Sequence, residues 1–230
     1  MEEVKRTEHK YILNYAESLQ LRKNLEAVMP RDIHCTDPAG YIVRSLYFDT
    51  VTDSCCAQKE DGLMRHEKIR LRIYGTDDSL IKLESKQKRG QLQVKRSLPV
   101  SRRVCDALCA GDYKVLLDMH DPLAEYFYGR LSDAMIPRAI VEYTRIPYAI
   151  ATNNTRITFD YHIRATETCL DLFRQDLPMH PIAPENMVIA EVKYNYFLLG
   201  YIKNTLGLMN RTEGAFSKYF SGRTFYRSII

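Results

Sequence analysis

Charged or polar side chains stand two or four positions apart in six segments of this chain, and that even spacing constrains its fold more than any other feature. The segments are Arg6-x-Glu8-x-Lys10, Arg70-x-Arg72, Lys82-x-Glu84-x-Lys86, Gln93-x-Lys95, Arg156-x-x-x-Asp160 and Glu191-x-Lys193. Apolar residues fill the positions between and beside them: Ile69, Leu71 and Ile73; Ile81 and Leu83; Leu92 and Val94; Ile157, Phe159 and Tyr161; Val192 and Tyr194. Successive side chains of a strand point to opposite faces, so each segment predicts a strand with one apolar and one charged face. Two arrangements satisfy that pattern. The charged faces meet solvent, or they converge on the inside of a barrel whose apolar exterior is covered by helices. Like charges at Arg70 and Arg72, and at Lys82 and Lys86 around Glu84, repel one another unless a multiply charged anion sits between them. That mixing favours the second arrangement, a lumen for a polyanion with carboxylates left to hold a metal.

Composition narrows the class. The 230 residues carry 33 Lys and Arg against 29 Asp and Glu, a net charge of +4. A general nucleic-acid coat is usually more lopsided, so the positive charge matters here through placement. Few aromatics flank the basic pairs as a base-stacking platform requires. The six cysteines form no C-x-x-C pair, and the histidines have no metal-ligand spacing, so neither a disulfide framework nor a zinc site is predicted. The opening Met-Glu-Glu-Val-Lys-Arg lacks the apolar core of a signal peptide. No apolar run approaches the ~20 residues of a membrane span. These features predict a soluble, cytoplasmic protein.

Patterning along the chain predicts strands over 4–13, 40–50, 67–75, 79–87, 91–98, 138–149, 154–163 and 187–194. The stripe Leu21, Leu25 and Val28 predicts a helix over 15–29, stopped by Pro30. A helical stretch covers 101–133, broken at Pro122, and a short helix follows Tyr196. Residues 165–186 read as a loop or short edge strand, with three prolines close together. About eight strands, no repeat and no low-complexity linker predict a single domain over 1–230.

Nine short motifs then occur in a telling order. They are Arg6-Thr-Glu-His-Lys10-Tyr11, Ser45-Leu-Tyr-Phe-Asp49, Lys68-Ile-Arg70-Leu-Arg72, Leu83-Glu84-Ser-Lys86, Val94-Lys95-Arg96, Tyr143-Thr-Arg145, Arg156-Ile-Thr-Phe-Asp160, Glu191-Val-Lys193-Tyr-Asn195 and Phe216-Ser-Lys218-Tyr219. Each is weak alone; together they resemble the VTC catalytic domain, the polyphosphate polymerase branch of the triphosphate tunnel metalloenzymes, from about residue 4 to 220. The resemblance implies an α+β fold: a closed antiparallel eight-stranded β-barrel with helices packed outside. It implies phosphoryl transfer from ATP to polyphosphate with a Mn or Mg divalent cation. The phosphate-binding residues it implies are Lys10, Arg70, Arg72, Lys86, Lys95, Arg145 and Lys218, with Lys193 on the same face as the metal carboxylate Glu191. Arg6 stands where the hydrolytic branch carries a glutamate, which looks more like the polymerase branch. Sensing domains and membrane helices of the eukaryotic assemblies are absent from the sequence, implying a stand-alone catalytic module.

Several residues keep two readings. Glu84 is either a second metal ligand or an ion-pair partner aligning Lys82 and Lys86. Asp160 is either part of the site or the partner of a neighbouring arginine. Asp49 reads as a turn or cap residue. No Ser or Cys pairs with His and Asp for covalent catalysis. Hydrolysis of tripolyphosphate or a nucleoside triphosphate is the closest rival activity. A non-catalytic polyphosphate-binding module is the third reading.

Overall fold

The computed structural model describes residues 6–60, 65–89, 92–207, 212–214 and 216–224. The chain runs β1 (Arg6–Asn14), α1 (Tyr15–Glu26), β2 (Tyr41–Thr50), α2 (Ser54–Glu60), β3 (Arg65–Tyr74), β4 (Ile81–Arg89) and β5 (Leu92–Val100). It continues through α3 (Arg102–Cys109), a 3-10 turn (Tyr113–Met119), α4 (Pro122–Leu131), β6 (Met135–Ile150), a second 3-10 turn (Thr152–Asn154) and β7 (Thr155–Thr166). The last elements are β8 (His180–Pro181), β9 (Met187–Asn195), α5 (Gly200–Gly207), β10 (Thr212–Glu213) and α6 (Lys218–Thr224).

Local chemistry explains the boundaries. Asn14 and Glu17 form a reciprocal capping box that starts α1 directly off β1. Pro122, expected to break a helix, instead opens α4 at its first turn, where its missing N–H costs nothing. The Asp121 side chain accepts from the Leu123 and Ala124 N–H groups ahead of it.

The chain divides into two compact units, each with its own core. Unit 1 comprises 1–42, 143–163 and 183–217; unit 2 comprises 43–142, 164–182 and 218–230. In unit 1, Leu13, Phe159, Val188 and Val192 of the sheet pack with Leu21 and Leu25 of α1 and Ile202 and Leu206 of α5. In unit 2, Leu46, Phe48, Ile69, Leu71 and Leu83 pack with Cys105 and Leu108 of α3 and Phe127 and Leu131 of α4. Phe159, Val192, Ile69, Leu71 and Leu83 among them are apolar alternates of the charged segments. Gly40, at φ +91°, leads into β2 inside unit 1; a Cβ there would stand 2.4 Å from the Arg145 carbonyl oxygen.

β1 pairs antiparallel with β9 and β10, β7 with β8 and β9, β3 with β2 and β4, and β4 with β5; the strand order is β10-β1-β9-β7-β6-β2-β3-β4-β5, with β8 beside β7. Among the described residues no pairing joins β10 to β5, so the fold is α+β with a large open antiparallel sheet. The expected closed eight-stranded barrel is corrected. Closure requires the two edge strands to exchange a ladder, and neither edge suits it. β10 is two residues long. β5 carries Lys95, Arg96 and Pro99, and proline has no N–H to give a ladder. No helix among the described residues is long and apolar enough to cross a membrane. The six cysteines are free thiols.

Candidate functional site

In unit 2 the register of β2 to β5 gathers the charged alternates onto one face. Tyr47 lies opposite Arg70, Arg70 opposite Glu84, and Glu84 opposite Ser97. In the adjoining row Lys68 faces Lys86, which faces Lys95. Glu84 is the centre, 2% exposed. Its Oε2 accepts from Arg70 Nε at 2.9 Å and Nη2 at 2.7 Å, with Arg72 Nη1 at 3.7 Å. Lys95 Nζ stands 2.6 Å from Oε1. Arg72 Nε donates to Ser45 Oγ at 3.2 Å, and Arg70 Nη1 donates to the Tyr47 hydroxyl at 3.0 Å. Burial alone would raise the Glu84 carboxyl; the charges of Arg70, Arg72 and Lys95 overcome it and hold the group well below the usual carboxylate range. Arg70, Arg72 and Lys95 converge on one carboxylate, and the same face carries Lys68, Lys82 and Lys86 together with Asp49 at its β2 end.

Unit 1 carries a second cluster, on β1, β9, β6 and β7. Lys10 lies opposite Glu191, Glu8 opposite Lys193, and Thr158 flanks Glu191 on β7. Lys10 Nζ is 3.4 Å from Glu191 Oε1 and 3.5 Å from Glu8, and donates to the Phe216 carbonyl at 3.5 Å. Lys193 Nζ donates to Glu191 Oε2. Arg145 grips the buried Asp160 in a two-point contact of 2.7 and 2.8 Å, lies 3.9 Å from Glu191, and sits 5.1 Å from the Tyr143 ring centre. Burial opposes the Arg145 charge, yet Asp160 first, then Tyr143 and Glu191, holds it protonated. For Lys193 burial wins, and its pKa falls below that of an ordinary lysine despite Glu191 and Glu8. Three cations here meet three carboxylates, so this cluster is balanced where that of unit 2 is strongly positive.

The residues expected to bind phosphate therefore lie in two groups. Arg70, Arg72, Lys86 and Lys95 share the unit 2 face; Lys10, Arg145 and Lys193 share the unit 1 cluster. Lys218 begins α6 in unit 2, next to Tyr219, whose hydroxyl donates to Asp49 at 2.7 Å. The side chain of Arg6 lies outside the described residues. Asp160 has the arginine partner that was one of its two readings. Asp49 caps its own turn, accepting from the N–H groups of Thr50, Cys55 and Cys56. The charged pattern does not reveal Tyr47, although period two places it on the face of Ser45 and Asp49.

The metal-binding expectation is corrected. Among the described residues no three His, Cys, Asp or Glu side chains come together as a metal cage. Glu84 and Glu191 are each ringed by Lys and Arg, which occupy their oxygens and repel a divalent ion. The residues present do not fit a protein-built metal site.

The triphosphate-tunnel class comprises proteins implicated in phosphoryl transfer or hydrolysis on nucleotides and polyphosphate. Within that class the chain belongs to the VTC domain family, whose model matches residues 5–226. Among solved structures it is similar to HpAC1 from Hippeastrum, a candidate adenylyl cyclase described as having a dominant triphosphatase activity. Identity is 10%, coverage 96% of each chain, and the TM-score 0.56. It also matches a candidate adenylate cyclase from Bacillus halodurans (10% identity, 87% and 85% covered, TM-score 0.45). A candidate adenylate cyclase from Vibrio parahaemolyticus matches at 11% identity, 88% and 85% covered, TM-score 0.45. Of the three, only the Hippeastrum protein superposes well enough to show a shared fold. No curated protein sequence matches the chain.

Proposed function

We propose that this chain binds inorganic tripolyphosphate or the triphosphate of a nucleotide and hydrolyses its terminal phosphoanhydride. The observation that carries the proposal is the convergence in unit 2 of Arg70, Arg72 and Lys95 on the Glu84 carboxylate, with Lys68, Lys82 and Lys86 on the same face. Such a face is self-repelling, and a linear phosphate chain relieves it. Arg70 and Arg72 offer planar forks to non-bridging oxygens, and Lys95, with its side chain 52% exposed, offers a mobile point charge. Phosphoryl transfer asks the protein chiefly for position and charge stabilisation. Water adds to the terminal phosphorus, the bridging P–O bond breaks, and the departing diphosphate or ADP leaves against fixed cations. The triphosphatase activity described for the Hippeastrum protein supports hydrolysis over other fates. A divalent cation takes part as a component of the substrate, bound by phosphate oxygens and water as in Mg–ATP.

Polymerisation is the second reading, favoured by family membership and by Arg6 where hydrolytic relatives carry a carboxylate. One experiment separates the readings. The purified chain is incubated with ATP or tripolyphosphate in Mg²⁺, in Mn²⁺ and in chelator, and phosphate, diphosphate, ADP and long-chain polyphosphate are resolved. Phosphate release without chain growth supports hydrolysis. Long-chain product with ADP would replace it by polymerisation, and binding without turnover would leave a carrier.

A further inference from the structure

Tyr47 is a buried phenol set among cations. It is 6% exposed, and its hydroxyl oxygen accepts from Arg70 Nη1 at 3.0 Å. Its ring stacks on Tyr219, with centres 4.8 Å apart. A phenol also has one hydrogen to give. Among the described residues no acceptor takes it, although buried hydroxyls ordinarily donate. We propose that Tyr47 is a phosphate-binding residue, donating its hydroxyl hydrogen to a non-bridging oxygen of the chain held by Arg70 and Arg72. This rests on the proposed triphosphate site and adds a neutral donor to its cations. The same hydroxyl, while it accepts from Arg70, fixes the fork of that guanidinium between Tyr47 and Glu84.

The surroundings give this donor a pH limit. On β2 its same-face neighbours are Ser45 and Asp49; on β3 it is faced by Lys68, Arg70 and Arg72; Glu84 on β4 reaches it through Arg70; Tyr219 of α6 covers its ring. Burial alone would raise the phenol, but Arg70 and Arg72, then Lys68, bring it down to about 8. Tyr219 is shifted the other way by burial and by Asp49, so it does not compete in that range. Above about pH 8 Tyr47 becomes a phenolate. It then loses its hydrogen, places negative charge beside the ligand and neutralises part of Arg70.

The test is calorimetric titration of tripolyphosphate, without divalent metal, into wild type, Tyr47→Phe and Arg70→Ala/Arg72→Ala from pH 6.5 to 9.5. Tyrosinate absorbance of the free proteins is followed in parallel. Wild-type affinity should fall by about tenfold across the range relative to Tyr47→Phe, which should bind about tenfold more weakly at pH 6.5. The ligand's own titration is common to both proteins. A tyrosinate step near pH 8 should be present in wild type and missing from the Phe variant. Equal affinity of wild type and Tyr47→Phe throughout would overturn the role of Tyr47 while leaving the site intact. Wild-type binding unaffected by loss of both arginines would instead overturn the site. If Tyr47→Phe fails to fold, an unchanged wild-type affinity across its own tyrosinate step overturns the proposal.

Discussion

Replacing Glu84 by Gln removes the one negative charge ringed by Arg70, Arg72 and Lys95. Two opposite consequences follow. Folding stability at pH 7 should fall, because three partly desolvated cations lose their counter-charge. Breaking a buried pair costs about 3–5 kcal/mol; Lys95 is half exposed and recovers much of its loss in water, so about 2–3 kcal/mol is expected here. Anion affinity should rise. A unit charge removed roughly 6 Å from a phosphate oxygen is worth up to about 3 kcal/mol at an effective dielectric of ~20, and ion screening brings this nearer 1–2 kcal/mol, or roughly tenfold in affinity. The variant should therefore melt lower than wild type in ligand-free buffer and recover most of the gap in excess tripolyphosphate, by mass action. The pH dependence has a definite sign. The folded Glu84 carboxyl sits below its ordinary 4.5, so its stabilisation is complete above that pH and drains away as pH falls below it. The difference between wild type and variant should narrow below pH 4.5 in urea unfolding. A variant that bound tripolyphosphate more weakly than wild type would refute the counter-ion role of Glu84.

Two further variants probe the scaffold. Gly40→Ala forces a side chain into a positive-φ site against the Arg145 carbonyl and should cost about 2 kcal/mol or more in urea unfolding; a loss under ~0.5 kcal/mol would show that this backbone approach is slack. In unit 2 the buried Arg44 bonds to Glu142 at 2.7 Å and to the carbonyls of Leu172 and Arg174, while Arg164 holds the other Glu142 oxygen at 2.6 Å. Glu142→Gln strands those guanidinium charges and should cost about 3 kcal/mol; an unchanged midpoint would mean that Arg44 finds compensation from the loop carbonyls alone.

Period two carried most of what the sequence told. It located the main strands, their apolar faces and the co-facial residues around Glu84, because alternation is a local rule that one segment states by itself. Closure of the sheet is not local. It depends on whether two edges meet, and only Pro99 and the basic pair Lys95-Arg96 hinted that β5 is an edge. The partners of the carboxylates were hidden for a similar reason: ion pairing was one reading of Glu84, but with Lys82 and Lys86 rather than Arg70, Arg72 and Lys95. Lys193 lies two residues from Glu191 on β9, but the other cations around Glu84 and Glu191 come from β1, β3, β5 and β6, up to 181 residues away for Lys10 and Glu191. Arg44 was unremarked because a charged residue between apolar ones reads as solvated, and its partner lies 98 residues on. The two-residue β10 and seven-residue α6 are too short to show a period.

The central claim is that the Arg70–Arg72 face of unit 2 is the phosphate-binding surface. The most direct measurement is the affinity of tripolyphosphate for wild type and Arg70→Ala/Arg72→Ala at low and at moderate salt, with circular dichroism to verify the fold. Loss of two charge-assisted forks should weaken binding by about a hundredfold or more and flatten its salt dependence. Wild-type affinity in the folded double variant would contradict the account and move the site away from this face.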